Sequence, residues 1–392
     1  MKILLISKLY LYEVFGNEIS NEYSPAGRRR ILGFIEGLKN QGAGVDVLSP
    51  IISYPQYKFY YPQIKVKYGD GEICYPGLIN IKYINYFCLL FSTFMHICRM
   101  HSRNKYNAII FYNPLFYRAY PAIVFGKIKN LPVIMDYVDL VDSEYTSQKW
   151  ARKILGWIEK HIVRLVDNFI LASNNFKDLI GVKSKYLVIR SGCSRNSIDF
   201  DPPRRGNIDK DLILFSGKLA KVRGVDLLIE ASKHIKSENY IIVITGNGPL
   251  MEYVKQSAQT NPRIVYKGFL SRAEYEHLLH KATILVNAQR TGYIFSKYCF
   301  PSKLYEYMSA GKFVISTNVS DVAEHLRGKI FILGKDEPKA LADLIDYILK
   351  NKHALYHMQR NAQKYVKEVE NWDQQAKRIL EFLGAISNKA LS

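Results

Sequence analysis

A short basic loop with two glycines is the part of this sequence best suited to bind a phosphate. In FSGKLAKVRGVDLL, an apolar strand-like stretch ends at Ser216 and is followed by Gly217, Lys218, Arg223 and Gly224. Glycine lets a backbone approach a phosphate closely, and neighbouring cations neutralise its charge. We interpret the loop as an anion site, with an ordinary basic surface loop as the alternative.

A second loop, CFPSKLYEYMSAGKFVIS, combines a helix start with a carboxylate. Pro301 suits the first turn of a helix, and Gly311 suits its end. Glu306 falls about one turn after Ser302, so the two share a face of the helix. Its carboxylate can accept hydrogen bonds from sugar or ribose hydroxyls. A partner for Lys303, or a solvated helix residue, is the alternative.

Three carboxylates follow another strand-like run. In IMDYVDLVDSEY, Asp136, Asp139 and Asp142 recur at every third position. Crowded carboxylates suit a hard metal ion, although no histidine accompanies them. These residues alone leave both a metal site and a metal-free polar site open.

The elements that must position these loops alternate between strand-like apolar runs and helical periods, as in a parallel sheet with crossover helices. The predicted strands are 2–7, 45–49, 108–112, 133–136, 169–172, 187–189, 212–216, 241–245, 264–267, 284–287, 314–317 and 330–333. The predicted helices are 28–41, 225–235, 250–258, 274–281, 303–310, 339–351, 356–369 and 372–386, and one of them opens on a capping box of Ser271 with Glu274. Since ligands of open α/β sheets bind at the carboxyl ends of strands, the first two of these loops are the expected binding loops.

A polar stretch with paired prolines, residues 191–210, lacks either periodicity and is interpreted as a linker. The sequence therefore predicts an α/β protein with two doubly wound domains, residues 1–190 and 211–370, as a chain of 392 residues allows. We expect the C-terminal helix, residues 371–392, to pack back across the junction.

The composition favours a globular protein of the reducing cytoplasm. The five cysteines are odd in number and show no C-x-x-C spacing, so neither a zinc site nor a redox pair is indicated. MKILLIS passes straight into a strand-like run without a small-residue cleavage site, which predicts no signal peptide. The net charge of +20 suits nucleic acid, anionic lipid or a phosphorylated substrate alike. Nucleic acid is the weakest of these, because no helix-turn-helix, zinc or aromatic-basic module is present.

The most apolar stretch, YINYFCLLFSTFMHICRM at residues 83–100, is followed by His101, Arg103 and Lys105. It is just long enough to span a bilayer, but Asn85 and His96 are among the polar residues that interrupt it. A buried helix of a large domain gives the same signal, and attachment to a membrane surface is a further alternative.

The order of the loops resembles the retaining GT-B glycosyltransferases, described as glycosyl transferases group 1 or family 4-like, of the bacterial surface-polysaccharide type. The motifs FSGKLAKVRGVDLLIEA, VITGNGPLMEYV, IVYKGFLSRAEYEHLLHKATILVNAQ and PSKLYEYMSAGKFVIS follow one another in the family's order. The resemblance implies a GT-B fold, in which two Rossmann-like domains face each other across a cleft. It makes residues 1–190 the acceptor-binding domain and residues 211–370 the nucleotide-sugar-binding domain.

The resemblance also implies roles for individual residues. Lys218 and Arg223 match the family's two basic residues that clamp the donor diphosphate, and Glu306 matches the second acid of its Glu-x7-Glu signature, which holds the ribose. Asp139 matches an Asp-Leu motif near the acceptor, with Asp136 and Asp142 as alternatives. The implied donor-binding residues are Gly27, Arg28, Gly217, Gly246, Gly268, Phe269, Leu270, Pro301, Ser302 and Lys303. No metal and no cofactor are implied, because the nucleoside-diphosphate sugar is itself the donor substrate.

One position departs from the family's pattern. The first acid of Glu-x7-Glu would fall at Tyr298, and no Asp or Glu occurs between His277 and Tyr305. The usual carboxylate contact to the donor sugar is therefore missing, which leaves the identity of the sugar open. Backbone amides, or Ser296 and Lys297, are candidates to replace it.

The resemblance predicts transfer of a sugar from a nucleoside diphosphate to an acceptor hydroxyl with retention of configuration, in surface polysaccharide, O-antigen or capsule assembly. The expected acceptor is a lipid-linked oligosaccharide, with the protein cytoplasmic or peripheral on the inner face of the cytoplasmic membrane. A sugar-nucleotide epimerase of the same fold is the first alternative, and a basic nucleic-acid-binding protein the second. A dinucleotide-dependent oxidoreductase is disfavoured, because Gly246 and Gly248 are not completed by a third glycine at Met251.

Overall fold

The computed structural model describes residues 1–11, 14, 25–51, 59–81, 84–140, 149–193 and 210–387. Contacts within the chain divide it into two units, the first comprising Met1–Ser191 with Trp372–Ser392 and the second comprising Gly192–Asn371. The first unit ends one residue after the predicted domain end at 190 and resumes one residue after 371, whereas the predicted start of the second domain at 211 lies inside the second unit. Most of the predicted linker, residues 194–209, lies outside the described residues.

The first unit contains a mixed sheet whose central strands are parallel. The strands are β1 (Lys2–Ile6), β2 (Gly44–Leu48), β3 (Tyr60–Tyr61), β4 (Ile64–Tyr68), β5 (Gly71–Tyr75), β6 (Leu78–Ile79), β7 (Ala108–Tyr112), β8 (Val133–Tyr137), β9 (Asn168–Leu171) and β10 (Lys185–Val188). Eight of them form the order β10-β9-β8-β7-β1-β2-β5-β4, and β3 pairs with β6 separately. Among the described strands of the eight-stranded sheet, only the edge strand β4 runs antiparallel to its neighbour, since a tight hairpin joins it to β5.

Helices cover this sheet, and the chain's last helix is one of them. The helices of the unit are α1 (Pro25–Asn40), α2 (Ile84–Asn104), α3 (Phe116–Lys129), α4 (Lys149–Leu165), a 3₁₀ turn (Asn174–Leu179) and, from the far end of the sequence, α13 (Trp372–Ser387). Trp372 packs edge-on against Phe34 of α1, with ring centroids 5.4 Å apart. A Cβ atom on Gly33 would lie 2.1 Å from the Trp372 ring, so the contact between α1 and α13 requires glycine at that position.

The second unit contains a six-stranded sheet that is parallel throughout. Its strands are β11 (Asp211–Ser216), β12 (Tyr240–Thr245), β13 (Ile264–Tyr266), β14 (Ile284–Asn287), β15 (Phe313–Thr317) and β16 (Phe331–Leu333). They are arranged in the order β13-β12-β11-β14-β15-β16. The direction of winding reverses between β11 and β14, and ligands of such sheets bind at the carboxyl ends of the strands beside this reversal.

The helices of this unit connect its strands, except for two that follow the last strand β16. They are a 3₁₀ turn (Lys221–Arg223), α5 (Val225–Ala231), α6 (Met251–Thr260), α7 (Arg272–Lys281), α8 (Ile294–Tyr298), α9 (Lys303–Ser309), α10 (Val322–Leu326), α11 (Pro338–Lys350) and α12 (Lys352–Glu368). The capping box predicted at Ser271 and Glu274 is confirmed, with both reciprocal hydrogen bonds present at the start of α7.

The apolar stretch at residues 83–100 forms most of α2. One face of α2 is buried in the first unit through Leu89, Ile97 and Met100, as the interpretation as a core helix requires. The opposite face is exposed along its length. Within the described residues, no helix is both long enough and apolar enough to span a bilayer.

Candidate functional site

Three glycine turns meet at the carboxyl ends of β11, β12 and β13 in the second unit. The Gly217 amide donates to the Thr245 carbonyl at 3.1 Å, and the Gly246 amide donates to the Gly268 carbonyl at 2.8 Å. A Cβ atom on Gly246 would lie 1.8 Å from the carbonyl oxygen of Gly217, and Gly246 has a φ of +128°. The turns can touch only because glycine has no side chain at these positions. Gly217, Gly246 and Gly268, which were predicted to contact the same ligand, therefore lie together.

Lys218 stands on the exposed side of this cluster. Its side chain is exposed, and it has no hydrogen-bond or ion-pair partner among the residues that the structure describes. An unpaired ammonium beside close-packed backbone amides favours an anion at this point. The family resemblance assigns Lys218 a contact to the donor diphosphate, and its exposure leaves it accessible to such a ligand.

Arg223 is held by residues that follow β14, the strand next to β11. Its Nη1 donates to Gln289 Oε1 at 2.7 Å, and its guanidinium carbon lies 4.6 Å from the centre of the Phe295 ring. Gln289 is fully buried and donates in turn to Ser296 Oγ at 3.2 Å. Arg223 is therefore fixed in orientation before any ligand binds.

The loop that carries Arg223 reaches β14 through a second glycine. A Cβ atom on Gly224 would lie 1.7 Å from the Ala288 carbonyl oxygen, and Gly224 has a φ of +72°. Sequence reasoning missed Gln289 and Phe295. The signal available for Gln289 was its place two residues after the predicted strand 284–287, at the edge of the sheet where ligands bind.

Glu306 contacts residues of α7. Its Oε1 accepts a hydrogen bond from Arg272 Nη1 at 2.9 Å, and its Oε2 accepts one from the Tyr275 hydroxyl at 3.2 Å. Burial lowers the pKa of Arg272, but the carboxylates of Glu306 and Glu276 outweigh it, so the pKa of Arg272 is raised. The Glu306 side chain is 13% exposed and joins α9 to α7 through these two contacts.

Lys303 instead joins α9 to the end of β11. Its Nζ donates to the Ser216 carbonyl at 2.7 Å and to Ser216 Oγ at 3.1 Å. It also lies 3.8 Å from the position that a Cβ atom on Gly217 would take. The loops that carry Gly217 and Glu306 are thereby fixed to each other.

The residues around the start of α9 differ in accessibility. Pro301 is buried, whereas Ser302 is half-buried and makes no side-chain cap to the helix. Tyr298, at the position of the missing acid, is buried as well. Ser296 is buried with its hydroxyl directed at Gln289, so of the two proposed replacements for the sugar contact only Lys297 is exposed.

The predicted donor-binding residues Gly268, Phe269 and Leu270 follow β13. Gly268 has a φ of +66°, with open space where a Cβ atom would be. Phe269 is 67% exposed, Leu270 is half-buried, and the Tyr266 hydroxyl donates to the Gly246 carbonyl at 2.9 Å. An exposed aromatic ring beside the glycine cluster is a surface on which a nucleobase can stack.

In the first unit, Gly27 and Asp139 are connected by Tyr112. The Tyr112 hydroxyl lies 3.4 Å from Asp139 Oδ2 and 3.4 Å from the position that a Cβ atom on Gly27 would take. Asn113, at the end of β7, accepts hydrogen bonds from the Val138 and Asp139 amides at 2.9 and 3.1 Å. Asp139 is thus positioned at the carboxyl ends of the strands, beside the start of α1.

Arg28 and Asp136 have contacts that define their roles. Arg28 Nε donates to the Tyr10 carbonyl at 3.0 Å. Asp136 is fully buried and accepts two hydrogen bonds from Arg30, at 2.9 and 2.6 Å. Such a closed ion pair holds strand β8 to helix α1, so Asp139 is the better candidate to meet an acceptor. Asp142 lies outside the described residues.

Within the described residues, no group of three or more His, Cys, Asp or Glu side chains is arranged to hold a metal ion.

Comparison with known proteins agrees with this geometry. Residues 198–365 match a family model described as Glycosyl transferases group 1. An uncharacterized glycosyltransferase of Methanocaldococcus jannaschii is 28% identical over 180 residues, which are 44% of this chain and 44% of that protein. The aligned part is therefore less than half the length of this relative.

Solved structures match over nearly the whole chain. Sucrose-phosphate synthase of Thermosynechococcus elongatus has a TM-score of 0.70 at 16% identity, covering 98% of this chain and 99% of that one. Anabaena HepE, solved in complex with UDP, has a TM-score of 0.68 at 15% identity, covering 98% of this chain and 100% of that one. The predicted fold class, an α/β GT-B fold with Rossmann-like domains, is confirmed.

Proposed function

We propose that this chain, which has the GT-B fold and carries a glycosyl transferases group 1 domain over residues 198–365, is a retaining glycosyltransferase that uses a nucleoside-diphosphate sugar. The observation that carries the proposal is the cluster of Gly217, Gly246 and Gly268, with Lys218 exposed beside it, at the point where the sheet reverses its winding. Close backbone approach and a nearby cation are what a diphosphate requires.

The charge that develops on the leaving diphosphate is the main obstacle to transfer. Lys218 and Arg223 would stabilise it, and Arg223 is already oriented by Gln289 and Phe295. Fixed charges aimed at developing charge need no reorganisation during the reaction. The proposed transfer is therefore independent of a metal ion.

In the proposed reaction the oxygen of the acceptor hydroxyl forms a bond to the anomeric carbon of the donor sugar. The bond from that carbon to the diphosphate oxygen breaks on the same face, and the hydroxyl proton passes to a donor phosphate oxygen. No protein nucleophile is required, which is compatible with tyrosine at position 298. Glu306 would accept hydrogen bonds from the ribose, and Asp139 would orient the acceptor.

For the donor we propose a UDP-sugar, since HepE, which shares the fold, was solved with UDP. For the acceptor we propose a lipid-linked oligosaccharide in surface polysaccharide assembly, with the protein at the inner face of the cytoplasmic membrane. The basic and apolar character of the first unit supports this acceptor.

The proposal is tested by thermal shift with UDP, GDP, ADP, CMP and dTDP, each in EDTA and again with magnesium, because a ligand that binds the native state raises its Tm. We expect UDP to stabilise the protein in EDTA, and a radiolabelled UDP-sugar to deliver its sugar to a lipid extract. Epimerised UDP-sugar without transfer would instead identify the epimerase alternative. No shift with any nucleotide would remove the proposal.

A further inference from the structure

Three helices of the first unit, α2, α3 and α4, carry a large excess of positive charge. Together their sequences contain ten Lys and Arg residues and a single acidic residue, Glu159. Glu159 is buried and accepts a hydrogen bond from the Tyr137 hydroxyl at 2.7 Å. These helices therefore present no carboxylate to solvent within the described residues.

Helix α2 adds an apolar stripe to this basic surface. Ile84, Phe87, Phe91 and Met95 are all exposed, Phe87 and Phe91 by 71% and 72%. Their spacing of three or four residues places them on one face of the helix. The same face continues into exposed Arg99, so the stripe passes from aromatic to cationic.

Helices α3 and α4 extend the surface. α3 packs against α2 through Phe125 and Phe94. It exposes Val124 and, between Lys127 and Lys129, Ile128. α4 exposes Ile154 and Trp157 together with basic residues. The rings of Trp157 and Tyr120 both contact His161, which connects α4 to α3. We call the exposed side of these three helices the basic apolar face.

From this face we infer that the first unit docks on the surface of an anionic lipid bilayer. Large apolar side chains at the surface of a soluble unit mark an interaction site. Aromatic and aliphatic side chains interleaved with Lys and Arg suit the headgroup boundary, where the rings enter the acyl region and the cations meet lipid phosphates. The inference deepens the proposed function. It rests on that function only in placing a lipid-linked acceptor in the same bilayer.

Other partners fit this face less well. Two copies joined through it would place like charges together without any exposed carboxylate to offset them. Nucleic acid would use the cations and stack on the rings, but it leaves the aliphatic Met95, Ile128 and Ile154 without a partner. A bilayer alone accommodates both kinds of side chain.

The test is flotation of the full chain with vesicles of phosphatidylcholine alone or mixed in equal parts with phosphatidylglycerol, without donor or acceptor. We compare the wild-type protein with Lys127→Glu, Lys153→Glu, Lys160→Glu. The matched control is Lys339→Glu, Lys350→Glu, Lys367→Glu, which changes the net charge equally at exposed lysines of the second unit. The first triple variant should bind mixed vesicles roughly 100-fold or more weakly, because each cation near an anionic surface contributes severalfold. The control variant should lose far less of its binding to mixed vesicles.

Two further measurements make the outcome decisive. Phe87→Ser with Phe91→Ser should lower binding while leaving Tm unchanged, since both rings are exposed. The tryptophan emission of the wild type should shift to the blue on binding mixed vesicles, and Trp157→Phe should reduce that shift. The inference would be overturned if both triple lysine variants lost vesicle binding equally, or if the wild-type protein bound neither kind of vesicle. Self-association or nucleic-acid binding through this face in place of lipid binding would overturn it as well. UDP-induced stabilisation is measured on the same preparations, so failure of docking is distinguished from failure of the proposed transfer.

Discussion

Gly246 and Gly217 approach each other so closely that a Cβ atom on Gly246 would lie 1.8 Å from the Gly217 carbonyl oxygen. The two residues directly follow the neighbouring parallel strands β12 and β11, whose register pairs Thr245 with Ser216. The close approach sets where the backbone amides of the two turns lie before any ligand arrives. In this protein the shape of the proposed diphosphate site is therefore determined by the absence of side chains as much as by the cations around it.

Replacement of Gly246 by Ala should destabilise the protein and prevent UDP binding. The added methyl group would collide with backbone, and the φ of +128° is strained for any other residue, so we expect a cost of at least about 2 kcal/mol. Urea unfolding and the UDP-induced shift in Tm measure the two effects. Gly334→Ala is the control, because a Cβ atom there meets open space. Normal UDP binding by Gly246→Ala would show that the turn is not part of the site.

The Glu306 carboxylate should bind the ribose of the donor. Glu306→Gln keeps the shape but removes the charge, and loss of a charge-assisted hydrogen bond predicts roughly 10- to 100-fold weaker UDP binding by calorimetry. Glu276→Gln is the matched control, because Glu276 also contacts Arg272 but lies on exposed α7. If both variants weaken binding equally, the effect comes through Arg272 and not through contact of Glu306 with the ligand.

Lys218 and Arg223 should differ in their effect on stability. Lys218→Ala removes an exposed side chain, so Tm should stay constant while the transfer rate falls roughly 100-fold or more, as expected for loss of a charge that stabilises the leaving group. Arg223→Ala should lower both Tm and the transfer rate, because it also breaks the contacts to Gln289 and Phe295. Lys335→Ala serves as the control for loss of an exposed lysine. A transfer rate for Lys218→Ala equal to that of the wild type would exclude Lys218 from a role in the reaction.

Much of the fold was predictable because parallel strands buried on both faces appear as continuous apolar runs. β7 and β14 have the predicted bounds, and the other predicted strands agree to within two residues. The hairpin of β4 and β5 was missed. Its edge strand, IKVKY, alternates between half-buried and exposed positions and carries two lysines, so it lacks the apolar run of a central strand.

The contacts of the site were less predictable than its loops. Glycines and cations at strand ends are visible in the sequence, and the capping box at Ser271 is a purely local pattern. The pairing of Glu306 with Arg272 joins residues 34 positions apart, and the contact of Arg223 with Gln289 joins residues 66 apart. Such partners follow from the packing of one helix or strand against another, which no local pattern encodes.

The buried pair of Arg30 and Asp136 should be a major contributor to the stability of the first unit. Asp136→Asn leaves the Arg30 guanidinium buried without its counter-charge, and breaking such a pair predicts a loss of about 3–5 kcal/mol in the free energy of unfolding, measured in urea. The double variant Arg30→Met, Asp136→Leu should recover part of this loss, because it leaves no uncompensated charge. UDP binding should persist in the double variant, since neither residue belongs to the second unit. A loss below about 1 kcal/mol for Asp136→Asn would mean that the pair is worth no more than a surface ion pair.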